Sequence, residues 1–190
     1  MAPMSQPAEI QKPSRRRRNA AETKARIIAS AQELFAAHGY AQAGIREIAN
    51  HAGVAVSLVP QHFGSKAELF ETAMLEAMAA STALDGPRGE LGRRLIDIAL
   101  NEADVRLPAM VILSTGDPDA REITARVTRE RIITSLAAVL GPPDARDRAM
   151  EITMICTGFL IYARQLPVGE VSERTKTRFA TLLQQIVDET

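Results

Sequence analysis

Four side chains in the first third of the chain, Val56, Ser57, Gln61 and His62, are of types that read base edges in duplex DNA. A glutamine amide pairs with adenine, a serine hydroxyl suits several bases, and valine methyls meet the thymine methyl. Arg46 precedes this group, Lys66 follows it, and the run Arg15, Arg16, Arg17, Arg18 lies further back. Cationic side chains so placed reach backbone phosphates, and a flexible basic arm also reaches a minor groove. Two plainer readings stay open. Arg46 is equally a solvated surface charge, and the arginine run equally a solubilising cluster.

Reading bases requires an element that fits a groove, and the stretch Gly44 to Lys66, GIREIANHAGVAVSLVPQHFGSK, supplies one. Ile45, Ile48, Ala49 and Ala52 follow helical spacing, Gly53 interrupts it, and Leu58, Val59 and Phe63 resume it. Two short helices joined by a tight glycine turn follow, the second presented as a probe for the major groove. Plain helical hairpins share this pattern. The second helix is expected from about Ala55 to His62, with Leu58, Val59 and Phe63 inward and Val56, Ser57, Gln61 and His62 outward. Pro60 would then fall beyond the first turn, where a lost hydrogen bond and a clash cost roughly 3 kcal/mol and impose a kink or a 3₁₀ turn.

The flanking elements follow from their own signals. Asn19 with Glu22 has the form of a capping box, opening a helix whose core face carries Ile27, Ala31, Leu34 and Phe35 and which Gly39 ends. Gly44 caps the next helix. Ser65 to Glu68 forms a second capping box, whose first-turn amides and Lys66 can hold a phosphate, although such a box stabilises any helix. It opens a long linking helix with Leu69, Phe70, Ala73, Met74 and Ala77 on one stripe.

Three stretches, Ile27 to Gly39 (IIASAQELFAAHG), Ile45 to Val54 (IREIANHAGV) and His62 to Phe70 (HFGSKAELF), resemble the TetR, or tetracycline repressor, family of bacterial regulators. They lie within residues 27–70, about a quarter of the chain, in the family's order and spacing. The resemblance implies an all-α protein of about nine helices, in which an N-terminal three-helix DNA-binding domain precedes a ligand-binding and dimerisation domain. It also implies phosphate contact by Lys66, and an inducer pocket in the C-terminal part. The chain departs from the family at Gly44, where many members have Ser or Thr, and at Pro60, where Tyr or another backbone-touching residue is common. Pro60 therefore motivates an alternative, a helical binding module with weakened or lost operator recognition.

Composition agrees with an all-α fold. Hydrophobic residues make up 46% of 190, aromatics are five Phe and two Tyr, and no run alternates Val, Ile and Thr as a sheet would. The net charge of zero conceals a division: residues 1–64 are +4 and the remainder −4, so only the N-terminal part suits a polyanion. No apolar run reaches the roughly 18 residues that span a bilayer, and no signal core opens the chain. The single cysteine, Cys156, excludes an intramolecular disulfide, fits a cytoplasmic setting and reads as an inert buried thiol. His38, His51 and His62 lack partners at metal-ligand spacing, so no metal or other cofactor is expected.

Three segments are expected: a disordered basic arm over 1–20, the DNA-binding domain over 21–66, and the ligand-binding and dimerisation domain over 67–190. Asp117 and Pro118 read as a cap and first-turn proline, and Asp144 as the cap of a nearly all-apolar helix from Ala149 to Ala163 that should be buried on most sides. A last helix carries Phe179, Leu182, Leu183 and Ile186 on one face. These two helices, about 143–164 and 170–188, suit a dimer interface, and the resemblance implies a four-helix bundle there. Met110, Ile112, Met154, Phe159 and Tyr162 are candidates for an adaptable ligand-binding wall, though such residues are also ordinary core. Glu151 reads as a solvated acid near a helix start. No Gly-rich phosphate loop, nucleophile elbow or paired catalytic His and acid appears, so a non-catalytic regulator is expected. The leading expectation is a homodimeric repressor released from a palindromic operator by a small apolar or amphipathic ligand.

Overall fold

The structure, a computed structural model, describes residues 15–79, 83–100, 106–166 and 168–189. No strand occurs among them. The helices are α1 (Arg15–Gln42), α2 (Ile45–His51), α3 (Leu58–Phe63), α4 (Lys66–Ala79), α5 (Leu91–Leu100), α6 (Arg106–Leu113), α7 (Pro118–Val127), α8 (Thr134–Leu140), α9 (Ala145–Leu160) and α10 (Glu173–Asp188). A π-helical segment, Thr128–Ile133, joins α7 to α8 in one rod; counted so, nine helices stand among the described residues.

Helix α1 begins earlier than expected. Asn19 lies inside it, and its carbonyl accepts a 2.8 Å hydrogen bond from the Thr23 hydroxyl, so the expected cap is an interior turn. The expected arm is corrected to this extent: residues 15–20 are helical, and the rest of the arm lies outside the described residues. The helical path breaks at Gly39, whose φ of 76° and ψ of 169° suit glycine and whose missing Cβ would lie 3.3 Å from the Leu113 carbonyl oxygen.

Gly53 makes the turn of the helix pair. At φ 64° its amide bonds the Asn50 carbonyl at 3.1 Å, and the Val54 amide bonds the Ala49 carbonyl at 3.0 Å, together a Schellman closure of α2. Helix α4 opens on the expected capping box: the Glu68 carboxylate accepts from the Ser65 amide at 2.7 Å, and the Ser65 hydroxyl accepts from the Glu68 amide at 3.1 Å. Asp117 caps α7 through the Ala120 amide at 3.0 Å. Asp144 differs from expectation. It sits at φ 46° with its side chain uninvolved, and its backbone carbonyl takes the amides of Asp147 and Arg148.

Packing divides the chain differently from sequence order. One core holds Ile27, Ala31, Phe35, Ile48, Val59, Phe63, Leu69, Phe70 and Met74 from α1–α4, and it also takes Met110 from α6 with Ala120 and Val127 from α7. Phe70 meets Phe35 and Tyr40 edge-on at centroid distances of 5.0 and 5.2 Å within it. The second core joins α5, α8, α9 and α10 through Leu91, Ile96, Leu136, Leu140, Ile152, Phe159, Leu183 and Val187. Gly92 lets α5 and α10 touch, since a Cβ there would lie 2.3 Å from the Ala180 carbonyl oxygen. The π-helical segment is thus one of the covalent joints between the two cores, running from Val127 in the first to Leu136 in the second.

Arg148 is only 4% exposed and has no carboxylate partner among the described residues. Its guanidinium donates to the carbonyls of Gly141, Pro143, Ile186, Val187 and Glu189, holding the last turns of α8 and α10 together. Helix α9 departs from the expectation of burial on most sides. Met150 and Met154 are exposed, Met154 by 64%, because α5, α8 and α10 cover only its other faces.

Candidate nucleic-acid interface and effector cavity

The recognition helix is shorter than expected, and this changes the meaning of Pro60. Helix α3 starts at Leu58, entered through two 3₁₀-type bonds, from the Leu58 amide to the Ala55 carbonyl at 3.0 Å and from the Val59 amide to the Val56 carbonyl at 3.2 Å. Pro60 is therefore in the first turn, where its missing N–H has no helical partner to lose. The expected cost of roughly 3 kcal/mol does not arise, since it belongs to helix interiors. The motive for the alternative of lost operator recognition goes with it.

Val59 and Phe63 point into the core, while Val56, Ser57 and Gln61 are exposed on the entry turn and first turn of α3. His62 is half-buried, its ring tilted against Phe63 at 6.2 Å. Arg46 is exposed at the second residue of α2. Arg15 to Arg18 form the first turn of α1, with only their backbone described.

Lys66 is half-buried rather than free. Its ammonium lies 4.5 Å over the Tyr40 ring and 3.4 Å from the Ala41 carbonyl, so it ties the start of α4 to the end of α1, beyond the break at Gly39. Burial lowers its pKa, and the Asp117 carboxylate opposes that shift. Two of the ammonium's three donors remain for a phosphate. Position alone leaves the Lys66 and Ala67 amides in the first turn of α4 without helical partners.

Two basic residues escape sequence reasoning. The Lys24 ammonium lies 5.7 Å from the centre of the Phe63 ring, at the end of α3, and an Arg26 guanidinium nitrogen lies 3.9 Å from where a Cβ on Gly53 would stand. Both are exposed on α1. The positive balance of residues 1–64 includes them, but only packing shows that they flank the Gly53 turn and α3.

A cavity of about 320 Å³ lies between α5, α6, the π-helical segment and α9. Leu95, Ile98, Leu107, Ile112, Leu136 and Leu160 form much of its apolar wall. Of the five residues expected to line a pocket, only Ile112 does. Met110 is fully buried in the first core, Phe159 packs on Phe179 at 5.0 Å in the second, and Met154 and Tyr162 face outward. Side-chain character made them candidates, but helix rotation put them elsewhere. Cys156 also lines the cavity, and burial pushes its thiol pKa up to about 12, so it is protonated near neutral pH.

An exposed short helix behind a Schellman turn, flanked by lysine and arginine and set on a helical body with its own cavity, defines a helix-turn-helix DNA-binding regulator. Known proteins agree. The family model of bacterial regulatory proteins of the tetR family matches residues 27–73, and that of the tetracyclin repressor-like C-terminal domain matches residues 89–189. The chain belongs to the TetR family and is a DNA-binding transcriptional regulator. It is 43% identical over 49 residues to the HTH-type transcriptional activator FasR of Mycolicibacterium smegmatis, a match spanning 26% of this chain and 22% of that one. Two solved structures share the fold. A TetR-family regulator from Rhodococcus sp. has a TM-score of 0.75 at 15% identity, covering 88% of this chain and 100% of its own. A transcriptional regulator from Rhodococcus sp. Rha1 has a TM-score of 0.64 at 24% identity, covering 86% and 95%. No helix among the described residues is long and apolar enough to cross a membrane.

Proposed function

We propose that the protein is a homodimeric repressor, held on a palindromic operator by two copies of α3 and released when a small apolar or amphipathic molecule enters the cavity. The observation that carries this reading is the place of the cavity, against a segment that joins the core bearing α3 to the core bearing α9 and α10. A ligand favouring one arrangement of the two cores shifts the spacing of paired recognition helices by its differential affinity. Gln61, Ser57 and Val56 read bases, with His62 beside them. Lys66, Lys24, Arg46 and the Arg15 to Arg18 turn hold phosphates.

Dimerisation falls to the uncovered face of α9, the π-helical turn Ile161–Gln165 that continues it, and α10, where Met150, Met154, Tyr162 and Leu182 are exposed. Two such faces make a four-helix bundle by isologous contact, matching two half-sites. The FasR match is too short to transfer an activator's role. The test is selection of bound duplexes from a random pool by the full chain. Enrichment of a palindrome is the expected result; a folded dimer that enriches nothing overturns the reading. Met154→Glu, which puts a charge on the proposed interface, should convert the dimer to a monomer in sedimentation.

A further inference from the structure

Among the described residues the cavity has one charged lining residue, Arg131, in the π-helical segment. Arg126 is paired with Glu71, and Arg93 with Glu90 and Asp97, but no carboxylate among the described residues lies within ion-pair distance of Arg131. The side chain is exposed at the cavity's mouth. No acid lines the cavity among the described residues.

The cavity's hydroxyls divide by wall. On α9, Thr153 donates to the Ala149 carbonyl at 2.7 Å and Thr157 to the Thr153 carbonyl at 2.8 Å, so both donors are committed within their own helix. On the opposite wall Thr128 and Ser135 bracket Arg131 and make no hydroxyl bond among the described residues. Free donors therefore gather at one end of the cavity, around a single positive charge. The rest of the wall is apolar.

We infer that the cavity takes a singly charged acidic amphipath, with its anionic head on the Arg131 guanidinium at the mouth and its apolar body inside. A cationic ligand would meet an arginine and find no counter-charge among the described lining residues. A neutral one would cover the arginine without pairing it, which is costly. A polyanion would meet only one cation. The planar guanidinium donates two parallel hydrogen bonds to a carboxylate, and the neighbouring hydroxyls can add to them.

The same residue gives the ligand its leverage. Val127 before the π-helical segment belongs to the first core and Leu136 after it to the second, so an anion held by Arg131 grips the joint. Arg126, at the end of α7, bonds Glu71 of α4 through two 2.8 Å contacts, and the Arg131 charge also acts on that carboxylate. Neutralising Arg131 removes its pull on the Glu71 carboxylate. π-helical turns are rare and recur at functional sites.

This inference rests on the cavity being the effector site, and the test separates the two. Decanoate and its neutral isostere decanamide are titrated by calorimetry into the full-length protein, Arg131→Gln, Arg131→Lys and Ser135→Trp, each checked for wild-type melting. Ser135 is exposed at the mouth, so an indole there blocks entry without filling the core. Decanoate should bind wild type roughly ten- to a hundredfold tighter than decanamide, as expected for one charge-assisted pair. Arg131→Gln should erase that preference, weakening decanoate binding without weakening decanamide binding, Arg131→Lys should keep much of it, and Ser135→Trp should abolish both. Equal binding of acid and amide to wild type, or a preference that survives Arg131→Gln, overturns the acidic class and leaves the cavity standing if Ser135→Trp still blocks. Failure of both probes to bind, or indifference to Ser135→Trp, overturns the cavity reading and the inference with it.

Discussion

Gly92→Ala adds one methyl where α5 crosses α10. The new Cβ would stand 2.3 Å from the Ala180 carbonyl oxygen, 2.6 Å from the Gln184 amide nitrogen and 3.0 Å from the Gln184 Cβ. The first two are helix backbone, so no rotamer change relieves the contact and α10 must move. Overpacking of this kind costs about 1–3 kcal/mol, and rigid backbone on both sides puts it at the upper end. Separation also breaks the 3.0 Å bond from the Gly92 amide to the Gln184 side-chain oxygen, worth about 1 kcal/mol. Against these, alanine gains up to about 1 kcal/mol in helix propensity, less in a first turn. A net loss of about 3 kcal/mol follows, a large fraction of a stability of ~5–15 kcal/mol. The assay is urea denaturation followed by helical circular dichroism at fixed protomer concentration. Gly44→Ser serves as the control: it sits at an N-cap with φ −82° and ψ 147° in open space, and should gain a few tenths of a kcal/mol. A Gly92→Ala protein as stable as wild type would refute the helix–helix contact.

Gln61→Ala should change the preferred base at one position per half-site at a cost of about 1–3 kcal/mol in discrimination, measured by duplex selection; uniform weakening would show that it reads no base. Lys24→Gln and Lys66→Gln should each weaken all sequences alike and flatten the slope of log affinity against log salt by roughly 0.9, measured by titration at several salt concentrations; unchanged slopes would remove them from the interface. The Arg126 guanidinium beside Glu71, by hydrogen bond and charge, holds its carboxyl below the usual range, with Arg131 adding to the pull and burial opposing it. The contribution of that carboxylate is therefore present above its unfolded value of about 4.3 and is lost as pH falls through the lower folded value. Denaturation of wild type and Glu71→Gln should differ at neutral pH and converge in acid; a constant gap across pH would refute the linkage.

Local signals survived folding where they involve neighbours three to five residues apart. Ser65 and Glu68 cap α4, Asp117 and Pro118 open α7, and Gly53 closes α2, as their types and spacing imply. Pro60 shows the limit of that reasoning. Its effect turns on whether α3 starts at Ala55 or Leu58, a shift of three residues settled by how Val59 and Phe63 seat in the core. Asn19 failed as a cap because α1 continues back through the arginine turn, and helices propagate readily once formed.

The residues alone determine an all-helical regulator with a basic N-terminal part, two short helices around Gly53 and outward Val56, Ser57 and Gln61, because helix periodicity and capping act within a few residues. Tertiary structure decided which core each helix joined: α6 and α7 pack with the DNA-binding helices, although they follow α5 in the chain. It also decided that Ile112 and Arg131 line the cavity while Met154 and Tyr162 face out, and that Gly92 is a contact point. These outcomes depend on the rotation and crossing of helices brought together from distant parts of the chain, and side-chain type does not encode which neighbour will arrive.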